Sequence, residues 1–263
     1  MKKPFRAIIL AAGQGTRLRP YTDNIPKCMV EVAGRPMLHW QLDVLEQAGV
    51  EEIVAVTGYQ EEVIDDPRVT KVYNPEYDST NMIYSLMCAE KYMEGNLLIA
   101  YGDIVYSGRV LEELMNDPNE IVIASDEAWE EYWSERFEDP LSDAETFRKG
   151  EDGCVRSLGK TPRSSEEVEG QYTGLTKLGP NGCERIREVY RQCNSRPECK
   201  QNAWDSGRPL RNAYMTDLLN YLAGQGELFY RPIHRGWVEV DDPDDLKLAN
   251  RVVPNLTKKK PAN

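Results

Sequence analysis

Leu10-Ala-Ala-Gly-Gln-Gly-Thr-Arg-Leu-Arg-Pro-Tyr-Thr-Asp-Asn-Ile-Pro-Lys27 continues directly from Ala7-Ile8-Ile9, an uninterrupted apolar run. Such a run suits a parallel strand buried on both faces. The strand delivers its C-terminal end into a loop with glycines at 13 and 15, and open α/β sheets bind ligands at strand ends of this kind. Glycine lets backbone N–H groups approach a phosphate closely. Arg17 adds a planar fork of positive charge and Lys27 a point charge. A loop built this way grips a polyphosphate. It is not a P-loop, because Gln14 and Thr16 flank Gly15 where Gly-Lys-Ser/Thr would be needed. Nor is it the dinucleotide fingerprint: Leu18 stands where a third glycine would open a helix, and Pro20 blocks one.

Downstream the chain alternates. Residues 36–48 carry apolar side chains at Met37, Leu38, Trp40, Leu42, Val44 and Leu45 and stop at Gly49, which predicts a glycine-capped helix. Ile53-Val54-Ala55-Val56 predicts a second buried strand ending at Gly58-Tyr59. Helices are expected over 83–93 and, capped by Ser107, up to Met115; strands over 97–101 and 121–124. Strands near 172–175 and 237–240, helices near 183–192 and 215–223, and a last helix opened by Asp242-Pro243 follow. Strand alternating with helix at this spacing is a doubly wound sheet. The expectation is one α/β domain over residues 1–254, with an insertion over about 126–180. It is a three-layer α/β/α, Rossmann-like build around a mostly parallel mixed sheet. Residues 255–263 are expected to form a disordered tail.

The chain has 263 residues, enough for one large core, and a formal net charge of −12. That charge argues against nucleic acid or an anionic membrane surface as partner. There is no 18-residue apolar stretch to span a bilayer. Met1-Lys2-Lys3-Pro4 looks like the start of a signal peptide, but the apolar run after it is short and enters the glycine loop, so none is expected. The six cysteines form no Cys-x-x-Cys pair and there are two histidines, so reduced thiols in a cytoplasmic protein are expected and a zinc site is not. Oligomeric state is left open.

Asp103 ends the third buried strand, on the edge that carries the glycine loop. A carboxylate there can hold Mg²⁺ while triphosphate oxygens fill its other positions; the alternative is a turn or cap residue. Glu239 and Asp241, two apart on a late strand, share a face and can address the same ion. Asn81 and Ser85, in and after the polar stretch 74–82, can read a base edge or an acceptor, or simply cap a helix. Lys160, after Gly159, is read either as an acceptor-phosphate contact or as a solvated lysine, and Lys177 only as a surface lysine. Over 129–147, aromatic residues interleave with Arg136 and seven acidic residues. This is an amphipathic helix with a solvated acidic face or an insertion lining the substrate.

The longer string Gly13-x-Gly15-Thr16-Arg17-Leu18-x-Pro20-x-Thr22-x-x-x-Pro26-Lys27, then Gly34-x-Pro36-Met37-Leu38, closely resembles a signature of nucleotidyltransferases. These enzymes join a nucleoside triphosphate to a sugar 1-phosphate or another small phosphorylated acceptor. The stretch 74–82, with Trp133-Ser-Glu-Arg136-Phe-x-x-Pro140 and Gln171-Tyr172-x-Gly174-Leu175, resembles their cytidylyltransferase branch, for acceptors of the phosphocholine, phosphonate or phosphoglutamine kind. The resemblance implies CTP, Mg²⁺ and pyrophosphate release. It implies Arg17, Lys27 and Asp103 as catalytic residues and Asp103, Glu239 and Asp241 as metal ligands. On the nucleotide side fall Leu10, Ala11, Ala12, Gly13, Gly15 and Thr16. With them go Gly58, Asn81 and Ser85, along with Arg17, Lys27 and Asp103. Arg136, Lys160, Tyr172 and Gly174 fall on the acceptor side. The acidic, aromatic segment suits an acceptor bearing a cationic amine.

Sugar-directed members usually carry Asp where Glu239 stands, which weakens the alternative of a sugar-1-phosphate enzyme using UTP or dTTP. A nucleotide-sugar glycosyltransferase typically needs Asp-x-Asp, and Asp103-Ile104-Val105 offers none. A non-catalytic nucleotide-binding module would be expected to have lost Arg17, Lys27 or Asp103, and all three are present.

Overall fold

The computed structural model describes residues 4–256. Strand β1 (Phe5–Ala11) opens the fold, and Ala7, Ile8 and Ile9 are sealed from solvent as the apolar run requires. A small ribbon, β2 (Glu31–Val32) and β3 (Arg35–Pro36), leads into α1 (Met37–Gln47). Gly49 ends that helix at φ 79°, with its N–H on the Glu46 carbonyl, so the C-terminal glycine reading holds. There follow β4 (Val50–Thr57), β5 (Val69–Tyr73), α2 (Met82–Cys88), β6 (Asn96–Tyr101), β7 (Ile104–Tyr106) and α3 (Gly108–Met115). Next come β8 (Ile121–Asp126), α4 (Trp129–Arg136), β9 (Phe147–Lys149), β10 (Val155–Leu158) and β11 (Gln171–Leu178). The chain closes with α5 (Pro180–Ser195), α6 (Met215–Gly224), β12 (Phe229–Ile233), β13 (Trp237–Glu239) and α7 (Pro243–Leu256).

The main sheet runs in the order β12-β8-β11-β6-β1-β4-β5. Strand β1 pairs in parallel with β4 and β6, whereas β11 is antiparallel to both β6 and β8. The sheet is therefore mostly parallel and mixed, as the sequence predicts. Alternate residues of each strand feed two cores. Ala7, Ile9, Leu98 and Ala100 pack with Leu42 of α1, Leu111 of α3 and Ala249 of α7. Ile8, Leu97 and Ile99 pack with Leu86 of α2, Ile186 of α5 and Leu219 of α6. Each leucine or isoleucine among these, fully buried, contributes about 1.5–3 kcal/mol relative to exposure. The result is the three-layer build.

Local expectations fare unevenly. Ser107 caps α3 through its hydroxyl, which accepts the Val110 N–H. The helix expected over 83–93 breaks at Ala89 into α2 and a short turn, Glu90–Tyr92. Only Trp129–Arg136 of the 129–147 segment is α-helical; Phe137 turns extended, and Pro140 then opens a short turn. Lys177 is buried rather than solvated, its ammonium donating to the carbonyls of Asp117 and Asn119. The last helix reaches Leu256, and the rest of the expected tail lies outside the described residues. No helix among the described residues is long and apolar enough to cross a membrane.

Candidate active site

Strands β1 and β6 lie side by side and deliver Leu10–Gly13 and Tyr101–Asp103 to one edge of the sheet. A cleft of about 150 Å³ opens there, walled on its other sides by Lys27 and Cys28 and by Tyr77, Thr80, Asn81, Met82 and Ser85. Gly102 permits the closeness of the two strand ends: a Cβ there would stand 2.8 Å from the Leu10 carbonyl oxygen. Gly15, at φ +64°, lies against Lys27, and a Cβ would come within 2.9 Å of that side chain. Its carbonyl accepts the Thr22 hydroxyl at 2.8 Å. The loop glycine thus sets where the lysine goes.

Lys27 points at two carboxylates. Its Nζ lies 2.6 Å from Asp103 Oδ2 and 2.5 Å from Asp241 Oδ1. Burial works against this charge, but Asp103 and Asp241 outweigh it and hold the ammonium above its usual range. Arg17, largely exposed, reaches Asp241 at 2.9 Å. Strand β13 is the device that closes the site. It pairs antiparallel with β7, Glu239 opposite Ile104, and the Val240 N–H bonds the Asp103 carbonyl at 3.0 Å. Residues distant in sequence therefore meet, and Asp103, Glu239 and Asp241 offer oxygens within 4.8 Å of one another. Burial raises the Glu239 carboxyl, with Asp241 next to it adding to the shift, while for Asp241 the Lys27 charge overrides burial and lowers the pKa.

The donor set fits a hard divalent cation. Asp103 Oδ1 is buried without a hydrogen-bond donor among the described residues, which leaves a hard oxygen free on a carboxylate already facing two others. Gln41, sealed in α1, holds the turn beneath it: Nε2 donates to the carbonyls of Tyr101 and Ile104, each at 2.9 Å, bracketing Asp103.

Of the expected nucleotide-side residues, Leu10, Ala11, Ala12, Gly13, Lys27, Asn81, Ser85 and Asp103 line the cleft. Asn81 also caps α2, its side chain accepting the Met82 N–H, so the capping reading holds and the residue lines the cleft as well. Ser85 accepts from Asn74 Nδ2 at 3.0 Å. Gly58 sits behind the wall, against Tyr77 and the Ala12 carbonyl. Thr16 and Arg17 lie on the short turn that follows Gly15.

Among the acceptor-side expectations, the one for Arg136 needs correction. The Arg136 side chain is fully buried and engaged with Glu239 and Asp245, so it faces the carboxylates and not an acceptor. Tyr172 sets its ring edge against Tyr101 at 5.7 Å, and Gly174 lies flush with the same ring, so both back the cleft wall. Lys160 is exposed and is held by its main chain to Thr146. Trp129, Tyr132 and Trp133 are buried, Tyr132 and Trp133 against Trp237, while Glu130 and Glu131 are solvated. Within α4 the amphipathic reading is the one that matches. Sequence reasoning passed over Tyr77, Tyr101 and Gln41. Tyr77 lay within the polar stretch already singled out; nothing in the sequence marked Gln41.

A glycine loop at a parallel strand end, with a lysine lodged between carboxylates across it, defines a protein that handles a nucleoside triphosphate. The chain belongs to the MobA-like NTP transferase family, whose domain model matches residues 7–161. It is a nucleotidyltransferase. It is 34% identical over 255 residues to the CTP:phosphoglutamine cytidylyltransferase of Campylobacter jejuni, covering 92% of this chain and 98% of that one. In fold it matches the CTP:phosphocholine cytidylyltransferase of Streptococcus pneumoniae with a TM-score of 0.72 at 20% identity, over 95% of this chain and 99% of that one. A glucose-1-phosphate thymidylyltransferase, so described provisionally, from Bacillus anthracis matches with a TM-score of 0.74 at 17% identity, over 97% and 98%.

Proposed function

We propose that this protein transfers CMP from CTP to a small phosphorylated or phosphonate acceptor that carries an amine, of the phosphoglutamine, 2-aminoethylphosphonate or phosphocholine type, and releases pyrophosphate. The observation that carries the proposal is the position of Lys27, held at 2.6 and 2.5 Å between Asp103 and Asp241 on the floor of the glycine-loop cleft. Backbone N–H groups of Gly13 to Gly15 and the Arg17 fork hold the β- and γ-phosphates that leave. Lys27 stands beside the α-phosphate and neutralises the charge that builds there as an acceptor oxygen attacks in line. The bond from the acceptor oxygen to the α-phosphorus forms as the bond to the pyrophosphate oxygen breaks. Asp103, Glu239 and Asp241 hold Mg²⁺, which adds charge neutralisation when bound. Asn81, Ser85 and the backbone near Ala12 face the base.

Fold alone does not choose between cytidylyl transfer and the sugar-1-phosphate alternative with UTP or dTTP, since neighbours of both kinds fit about equally well. What favours the first is the match along nearly the whole chain to a cytidylyltransferase. Pyrophosphate release with each of four NTPs tests it. CTP is expected to exceed UTP, ATP and GTP by at least about tenfold in kcat/KM, which needs only about 1.4 kcal/mol of differential binding. Equal use of UTP refutes it, and no release with any NTP returns the chain to a binding role.

A further inference from the structure

Arg136 takes no part in the chemistry above, yet two of the three carboxylates assigned to the cation, Glu239 and Asp241, stand beside it. It is the last residue of α4, and its side chain has no exposed surface. Nε donates to Asp245 Oδ1 at 2.7 Å and one terminal nitrogen to Asp245 Oδ2 at 2.9 Å, a two-pronged grip. The other terminal nitrogen reaches Glu239 Oε2 at 3.0 Å. Asp241 Oδ2 stands 3.8 Å away. Asp245 in turn accepts the backbone N–H of Asp241 at 2.9 Å. The guanidinium carbon lies 5.4, 5.2 and 4.9 Å from the ring centres of Tyr132, Trp133 and Phe137, which closes it in with aromatic surface. The Tyr132 hydroxyl accepts the Glu239 N–H at 2.8 Å. A planar cation gripped on so many sides has one orientation.

We infer that Arg136 is the positioning residue of the divalent-cation site: its fork orients the Glu239 carboxylate directly and Asp241 through Asp245. The inference rests on the Mg²⁺ assignment proposed above. Two carboxylates two residues apart repel, and each would turn away from the other without a shared partner. A lysine supplies the charge and lacks the fork. Losing a group that orients metal ligands costs about 10–100-fold in metal affinity. Losing a nearby positive charge acts in the opposite sense and tightens cation binding through Coulomb's law. The sign of the change therefore separates orientation from charge.

The test is a Mn²⁺ titration followed by electron paramagnetic resonance of the free ion. Wild type, Arg136→Lys and Arg136→Gln are compared, with circular dichroism establishing the fold. Mn²⁺ is expected to bind roughly 10–100-fold more weakly to both variants. Acceptor KM at saturating metal is expected to stay unchanged. Asp245→Asn, which keeps the partner's shape and weakens the grip, is expected to move Mn²⁺ affinity the same way, and it decides the matter if the Arg136 variants do not fold. Unchanged or tighter Mn²⁺ binding overturns the inference, as does full rescue by lysine or a rise in acceptor KM alone. Failure of the metal assignment itself reads differently: Asp103→Asn would then leave Mn²⁺ binding of the wild type unaltered, and the inference would fall with it.

Discussion

Replacing Lys27 by Met removes the ammonium shared by Asp103 and Asp241, and the geometry sets the size of the effect. Deleting one member of a buried ion pair costs about 3–5 kcal/mol where water is excluded. The Lys27, Asp103 and Asp241 side chains keep 13%, 19% and 13% of their surface. Solvent therefore screens part of the bared charge, and a loss of about 2 kcal/mol is expected. For a chain of this size that is a fall in Tm of about 4–8 °C. A divalent cation entering the same carboxylates offsets the loss, contributing about 2.7 kcal/mol at a free concentration a hundredfold above its Kd. Lys27→Met should therefore gain more thermal stability from Mg²⁺ than the wild type does. Turnover should not recover with it. A cationic donor aimed at developing charge is worth about 2.7–4 kcal/mol, so kcat should fall by roughly 10²–10³ even at saturating Mg²⁺, with a smaller change in KM for CTP. Calorimetry with and without Mg²⁺, alongside pyrophosphate release, measures both. An unchanged Tm together with a pure KM effect would refute the reasoning and demote Lys27 to a binding residue.

Asp103→Asn should abolish pyrophosphate release while circular dichroism stays native, because the amide keeps the shape and loses the charge that holds the cation; Glu239→Gln should do the same and Asp241→Asn less. Gln41→Leu leaves the carbonyls of Tyr101 and Ile104 without their shared donor and should cost about 1–3 kcal/mol in denaturant unfolding while raising the Mg²⁺ needed for half-maximal activity. Burial, then Asp143 and Asp217, push the Glu145 carboxyl up to about 7. An acid whose folded pKa is raised binds its proton more tightly when folded, so stability falls as pH rises from about 4.5 to 7. Glu145→Gln should flatten that part of the stability–pH curve by on the order of 2 kcal/mol, and an identical slope in the variant would contradict it.

Much of the fold was readable because the central strands β1, β4, β6 and β8 each contain an unbroken apolar run and some helices carry clear start or stop residues. Gly49 ends α1 and Ser107 opens α3 for local chemical reasons that need no knowledge of the rest. The loop from Gly13 to Lys27 and Asp103 were readable because each follows a strand of the main sheet, and Glu239 and Asp241 because they lie at the end of β13, whose pairing with β7 brings them to Asp103. What stayed hidden is what depends on partners far away in sequence. Arg136 reads as a surface or substrate arginine until Glu239 and Asp245, more than a hundred residues on, turn out to surround it. Gln41 reads as an ordinary helix residue until the Tyr101–Ile104 turn arrives beneath its amide. The 129–147 segment misled because α4's pattern was carried past Arg136, where Phe137 turns extended and Pro140 opens a separate short turn.

Cytidylyl transfer to an amine-bearing acceptor is tested most directly by a competition. CTP labelled at the α-phosphorus is offered with Mg²⁺ to equal amounts of phosphoglutamine, 2-aminoethylphosphonate, phosphocholine and glucose 1-phosphate, and the labelled products are separated. The account predicts that the label passes from CTP into a CMP conjugate of one of the aminated acceptors, with an equal yield of pyrophosphate. Label accumulating in CDP-glucose ahead of every aminated conjugate would contradict it.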